Sequence, residues 1–462
     1  MSATTTISAI ELEQMPMPIE PAPAKQDIKQ PNVRPDAASG SSCLVGDNGG
    51  SEPCPHPAVP ATERWNESRT HVYRMAACFF SFLVMGANDS AYGPLLPYLE
   101  KYYNLTYIVV SLVFLSPFVG YVCSAILNNY LHHRVGQRGI AVICGACHAA
   151  AYTIIALHPP YIVLVFAFIL AGFGNGVADA AWNAWVGNLA NSSEVLGLLH
   201  ACYGVGGAVS PTIATTLITK ANLGWYSFYY IMIGMAGVEM VVLASAFWSS
   251  SGAEYRRIHS SESNRMGLSE ALFCTPSARV TWVTAAFLLC YVGVEVALGG
   301  WIVIFMIRVR HGEAFASGMS AVGFWLGITA GRAVLGFVTP RVGVKLSTAL
   351  YIVAAGALEL IFWLVPQFYV SVVAVAFQGF FLGPMFPNAV LVAQKLLPRQ
   401  HHVVVIGFAA AFGGCGAAVL PFLTGILAQA KGPMVLQPIV LALLAVMLGI
   451  WLFFPRVETK RE

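Results

Sequence analysis

Charge is what this chain lacks. Only 10% of its 462 residues are Asp, Glu, Lys or Arg, against roughly 25% in a water-soluble domain. So few charges cannot cover a water-facing surface of this size, which excludes a large soluble enzyme. A phosphate-binding loop ending in Gly-Lys-Ser or Gly-Lys-Thr is also lacking, which excludes an ATP-driven pump, and there is no nucleophile elbow. Cys144 and Cys147 have the spacing of half a zinc or redox motif. No second pair lies near them, and the run around them is small and apolar, so they read as helix-packing thiols. The net charge of +3 gives no case for nucleic acid. No enzyme activity, cofactor, metal site or nucleic-acid partner is therefore expected. The first residues hold no apolar stretch of signal-peptide type, and Met-Ser-Ala is not a myristoylation signal.

What is present is apolar, at 57% of the residues, and it comes in blocks. Twelve of them cover 73–95, 108–130, 139–157, 161–186, 195–219, 225–248, 279–301, 316–339, 347–365, 370–393, 402–427 and 436–454. About 20 apolar residues suffice to cross the hydrocarbon core as a helix, and runs this continuous do not alternate as barrel strands do. The expectation is an all-α membrane protein of twelve transmembrane helices. Its expected parts are a disordered, Pro-rich N-terminal tail (1–70), a six-helix half (71–248), a central loop (249–278), a second six-helix half (279–456) and a short C-terminal tail (457–462). Sixteen of the 25 Lys and Arg flank the spans on the side of both termini and five flank the other side. The positive-inside rule then puts both termini and the central loop in the cytoplasm.

The halves repeat one another. A shift of 207 places Arg134-Val135-Gly136 on Arg341-Val342-Gly343, and Gly172-Phe173 with Gly176 on Gly379-Phe380 with Gly383. A shift of 210 places Gly204, Gly206 and Pro211 on Gly414, Gly416 and Pro421. Two parallel six-helix halves with a site at the midplane between them are a recurrent transporter plan. Pro211 and Pro421 are expected to kink spans 5 and 11.

Two loops carry a family resemblance. His132-His133-Arg134-Val135-Gly136-Gln137-Arg138, after span 2, resembles the signature loop of the major facilitator superfamily, with His133 where the pattern has an acid. Thr339-Pro340-Arg341-Val342-Gly343-Val344-Lys345 is its cognate after span 8. Within that superfamily the chain is most similar to the fucose–galactose–glucose proton symporter group, as a fungal-type member. Asn88-Asp89 followed by Gly93-Pro94-Leu95-Leu96-Pro97 in span 1, and Asp179 with Asn183 in span 4, carry that likeness. Ser210-Pro211 in span 5 departs from the Gly-Pro step of drug antiporters. The resemblance implies the major facilitator fold, with helices 1, 4, 7 and 10 lining a cavity. It also implies gating roles for Arg134, Gly136, Arg138, Arg341 and Gly343.

Five acids and one Arg fall inside the spans, where a charge costs at least about 2.5–3.5 kcal/mol. Asp89, Asp179 and Glu295 lie on implied cavity helices and are the candidate proton-coupling residues. Glu239 and Glu359 lie on supporting helices and read as packing acids, as does His148. Arg332 reads as a residue that snorkels or braces the loop after span 8. Its separation from Glu295, about 14 Å along the membrane normal at about 1.5 Å per residue, predicts no ion pair. Asn88, Asn175, Trp182, Asn183, His200, Tyr203 and Asn388 are candidate substrate-binding residues, because amides and hydroxyls both donate and accept as sugar hydroxyls require. The expected function is proton-coupled transport of a small polar solute such as a monosaccharide, by alternating access. Alternatives are a proton-coupled exporter of a metabolite or drug and a non-transporting nutrient sensor. The expected setting is a monomer in the lipid bilayer, in the plasma membrane rather than the vacuole.

Overall fold

The structure is a computed structural model. It describes residues 64–454, apart from 188, 190–191, 259–271, 275–276 and 398–401. Residues 1–63 of the expected N-terminal tail, the expected C-terminal tail, half of the central loop, and Arg265, Arg399, Arg456, Lys460 and Arg461 lie outside the described residues.

Among the described residues every regular element is helical. The long helices are α1 (Arg69–Tyr103), α2 (Tyr107–Asn128), α3 (Tyr130–Ala156), α4 (Tyr161–Gly187), α5 (Ser192–Thr219) and α6 (Ser227–Ala246). The second half follows as α7 (Ser277–Arg308), α8 (Ala314–Val342), α9 (Val344–Leu364), α10 (Phe368–Leu396), α11 (His402–Lys431) and α12 (Leu436–Phe453). Eleven of these segments are long and apolar enough to cross a bilayer. The twelfth, α1, has 35 residues, and Asn88-Asp89 at its centre make it more polar than the rest. Ser68 caps α1 by accepting from the His71 amide at 3.1 Å, and Asn104, with φ of 52°, turns the chain out of it.

α7 is buried along nearly its whole length. The outer faces of other helices expose large apolar side chains, among them Phe166, Val353, Tyr369 and Leu452. Such a surface suits lipid, and the helices keep their backbone groups paired internally as a membrane requires.

Two expectations about helix continuity need correction. The chain runs helically from Leu112 to Ala156, with a single break at Gly136 (φ 67°, ψ −175°), so no loop separates α2 from α3. α10 is not continuous: it stops at Leu382 and restarts at Met385. Pro384 has no amide hydrogen to donate, so the helix opens at Gly383-Pro384.

The two signature loops latch in parallel ways. Arg138 donates its amide to Ser250 O at 3.0 Å and lays its guanidinium over the Trp248 ring at 4.9 Å. Lys345, 207 positions on, donates Nζ to Phe454 O at 2.6 Å, and Trp451 Nε1 donates to Lys345 O at 2.9 Å. Each loop thus grips the chain at the end of the sixth helix of its own half. Both glycines of the repeat have positive φ, 67° at Gly136 and 98° at Gly343. L side chains rarely adopt that conformation. The Arg134 carbonyl lies against the start of the short helix Gly252–Ile258.

At the end of the bundle opposite these loops, the halves meet. Tyr107 N donates to Gln429 Oε1 at 2.8 Å, and Arg308 Nη2 lies 3.4 Å from Glu100 Oε1. The Lys220 ammonium sits 4.4 Å from the centre of the Phe315 ring. Glycine allows backbone approach here: a Cβ on Gly93 of α1 would run into the Gly299 carbonyl of α7. The two halves are in contact at that end.

Candidate functional site

Asp89 lies at mid-depth of α1, and three donors converge on it. Asn88 Nδ2 is 3.0 Å from Oδ1, Asn175 Nδ2 of α4 is 3.1 Å from the same oxygen, and Tyr203 Oη of α5 donates to Oδ2 at 2.7 Å. Asn88 also donates to Tyr92 Oη at 2.9 Å. An ionised carboxylate only accepts, so this arrangement fits the anion. Charge-assisted hydrogen bonds are stronger than neutral ones, so the carboxylate draws three helices together.

The packing explains how they come so close. A Cβ on Gly86 of α1 would collide with the Tyr203 carbonyl, and one on Gly206 of α5 with the Leu83 carbonyl. These small residues bring α1 and α5 to backbone contact, which places the Tyr203 hydroxyl on the Asp89 carboxylate. The structure therefore brings Asp89, Asn88, Asn175 and Tyr203 together as one cluster. All four stand out in the sequence, but nothing there joins them.

Asp179 is almost fully buried one turn before Asn183 and accepts from its Nδ2 at 2.7 Å. Tyr121 of α2 packs on α4 beside Asn175: its Cδ1 would be 2.9 Å from a Cβ on Gly176. Nothing in its apolar sequence surroundings singled it out. Only packing across Gly176 shows that it lies against this part of α4.

The remaining candidates lie elsewhere. Trp182 is fully buried and stacks on Phe247 at 4.7 Å. Asn388 of α10 donates to Thr348 Oγ1 of α9 at 2.9 Å. His200 of α5 packs edge-on against Phe82 of α1, with ring centres 5.4 Å apart. Glu359 accepts from Gln378 at 2.8 Å, joining α9 to α10.

The second half carries a charge pair that the sequence reading ruled out. Arg332 Nη2 stands 3.4 Å from Glu295 Oε1, and Arg332 Nε donates to Gly383 O at 3.2 Å. Counting rise along a straight normal ignored the reach of a long Arg side chain and the break in α10. That break presents the Gly383 carbonyl as a second acceptor. Irregular backbone at membrane depth is tolerated where it meets a polar partner.

The arrangement can hold a proton on a carboxylate surrounded by amides and hydroxyls, and it can bind polar groups at mid-depth. Comparison with known proteins agrees with this architecture. The sequence pattern of the Major Facilitator Superfamily matches residues 78–361 and 313–462. The chain is 28% identical over 415 residues to Bypass of stop codon protein 6 of Saccharomyces cerevisiae, covering 83% of this chain and 82% of that protein. It is 24% identical over 362 residues to the glucose/mannose transporter GlcP of Bacillus subtilis, covering 74% of this chain and 85% of that one. Its fold is similar to the crystal structure of the transporter FucP in the outward conformation, with a TM-score of 0.56, 15% identity, and coverage of 84% of this chain and all of that one. The loops repeated at Arg134 and Arg341, the twelve helices and the family match lead to one conclusion: the chain belongs to the major facilitator superfamily and is a multi-pass membrane transporter, not an enzyme.

Proposed function

We propose that this transporter couples protons to the movement of a monosaccharide by alternating access, with Asp89 as the proton-carrying residue. The observation that carries the reading is the Asp89 cluster: one carboxylate in the membrane, held by groups from α1, α4 and α5. Protonation removes the charge that draws the three donors in. The Tyr203 hydroxyl then turns from donor to acceptor, or lets go. A change at one atom thereby becomes a change in how α5 packs on α1, which is the differential interaction a coupled transition needs. Asn88, Asn175 and Tyr203, released from Asp89, supply the amides and hydroxyl that suit sugar hydroxyls. Asp179 with Asn183 extends the same polar lining. That a relative at 24% identity is named a glucose/mannose transporter supports a hexose as the solute.

The second half contributes the Glu295–Arg332 pair, and the latched loops at Arg134, Gly136, Arg138, Arg341 and Gly343 act as the gate hinges. In this reading the contacts between the halves seal their end of the bundle, and the sealed end faces outward. The loop side, with its excess of Lys and Arg, faces the cytoplasm together with both termini. The halves divide near residues 71–248 and 279–456, joined by the 249–278 loop, and the carrier works as a monomer in the plasma membrane.

The test is uptake of labelled glucose, mannose and fucose into proteoliposomes holding the full chain, with and without an imposed pH gradient. Accumulation of at least one sugar above its outside concentration, only with the gradient, is expected. Equilibration without accumulation, or no movement of any sugar, overturns the reading.

A further inference from the structure

Beside the Asp89 cluster the first half holds a second buried polar group that the proposed function does not use. His148 of α3 and Glu239 of α6 are fully buried, with Nδ1 and Oε2 2.7 Å apart. Ser81 of α1 donates to Glu239 Oε1 at 2.6 Å, and Cys144 Sγ lies 3.5 Å from the same oxygen. These residue types can ligate a metal, but two ligands of one tetrahedral zinc ion stand about 3.3 Å apart when each bond is about 2.0–2.1 Å. A separation of 2.7 Å is a hydrogen bond. The pair shares a proton.

The far side of the imidazole leads to Asp89. Its edge rests on Gly174 of α4, where a Cβ would come within 2.9 Å of Nε2. The next residue on α4 is Asn175, whose Nδ2 reaches Asp89 at 3.1 Å. Asn175 Oδ1 and His148 Nε2 are both buried, and neither has a hydrogen-bond partner. With Nδ2 of the amide committed to Asp89, the end left for His148 is the oxygen, which accepts. That oxygen asks for a proton on Nε2, while Glu239 asks for one on Nδ1. Only the imidazolium donates from both nitrogens. Glu239, His148, Asn175 and Asp89 then form one line in which anion, cation, amide and anion alternate.

We propose that the buried His148–Glu239 pair is a positioning pair for the coupling proton: acting through Asn175, it sets the pH at which Asp89 loads and releases it. This rests on the reading of Asp89 as the proton carrier. Several other titratable groups face the pair. Cys144 and Tyr152 come from α3, the latter stacked on the imidazole at 5.6 Å, and Tyr229 of α6 lies 6.0 Å from Tyr152. Thiols and phenols ordinarily stay neutral at pH 7, so Asp89 is the charge that the pair senses and tunes.

The experiment is infrared titration of the full chain in proteoliposomes, following the carboxylic-acid band that Asp89→Asn removes. His148→Gln deletes a cation and Glu239→Gln an anion. The two substitutions are therefore expected to move the midpoint of that band in opposite senses, each by about 1–1.5 pH units, the effect of a unit charge about 8–12 Å away at an effective dielectric of about 20. Adding Asn175→Ala to either variant should shrink its shift. Glu359→Gln, which removes a buried acid of α9, should leave the midpoint in place. A merely structural pair would change melting temperature and leave the midpoint unmoved. Should a Gln variant not fold, linkage supplies the converse measurement. In Asp89→Asn protein carrying isotope-labelled histidine, a histidine band should titrate at a shifted pH relative to wild type. Unmoved midpoints, shifts of the same sense in both Gln variants, or identical histidine titrations in wild type and Asp89→Asn each overturn the proposal. Failure of the functional reading alone looks different: Asp89→Asn protein would still accumulate sugar against its gradient while the band shifts persist.

Discussion

Replacing Asp89 with Asn separates coupling from packing. The new side chain keeps the shape and one acceptor oxygen, and its NH2 takes the place of one carboxylate oxygen. With the acceptor kept toward Asn88 and Asn175, as Oδ1 is now, the NH2 meets Tyr203, whose hydroxyl can rotate to accept. Hydrogen bonds to a charged group contribute about 1.5–3 kcal/mol and neutral ones about 0.5–1.5. Relief of burying a charge offsets much of that difference. The net loss is then about 1–3 kcal/mol, which leaves the bundle folded. The effect on coupling is total. One pH unit is worth about 1.36 kcal/mol per proton, so one proton per solute sustains at most about tenfold accumulation across a one-unit gradient. A side chain that cannot titrate sustains none. Gradient-driven uptake and counterflow exchange, measured side by side and normalised to folded protein, should show an accumulation ratio of one with exchange retained. Wild-type accumulation in this variant would refute the assignment and pass the role to Asp179 or Glu295.

Three further outcomes are expected. Glu295→Gln or Arg332→Met, each stranding one member of a partly buried pair, should cost about 3–5 kcal/mol in thermal unfolding, and the double substitution should recover much of it; additive losses would show that the 3.4 Å contact contributes nothing. Gly93→Val should disfavour the sealed end, since overpacking costs about 1–3 kcal/mol, and so slow transport about tenfold or more. Gly234→Val on α6, where a Cβ would meet nothing within 4 Å, should leave the rate intact, and equal effects of the two would sink the argument from close approach. A tag inserted at residue 260 should be reached only after the cell is permeabilised, because the bias of Lys and Arg puts that loop inside; labelling in intact cells would reverse the topology.

The sequence alone determined the fold class. Spans long enough to cross hydrocarbon, too few charges for water, and loops repeated at one offset leave little else, because lipid admits only helices and closed barrels. It also picked out Asp89, Asn88, Asn175 and Tyr203, since a polar residue in an apolar run stands out by its cost. It did not say which of these touch. Tyr203 is 114 positions from Asp89, and their contact depends on Gly86 and Gly206 bringing two backbones together. The same gap misled the reading of Arg332, where position along a straight helix was taken for position in space. It hid His148 and Glu239 as well, which read as separate packing residues in the sequence and which α3 and α6 set 2.7 Å apart. Periodicity and burial are local quantities that the order of residues encodes directly. The pairing of polar groups inside a membrane depends on rotation and depth of each helix, and packing decides those only when the whole bundle is assembled.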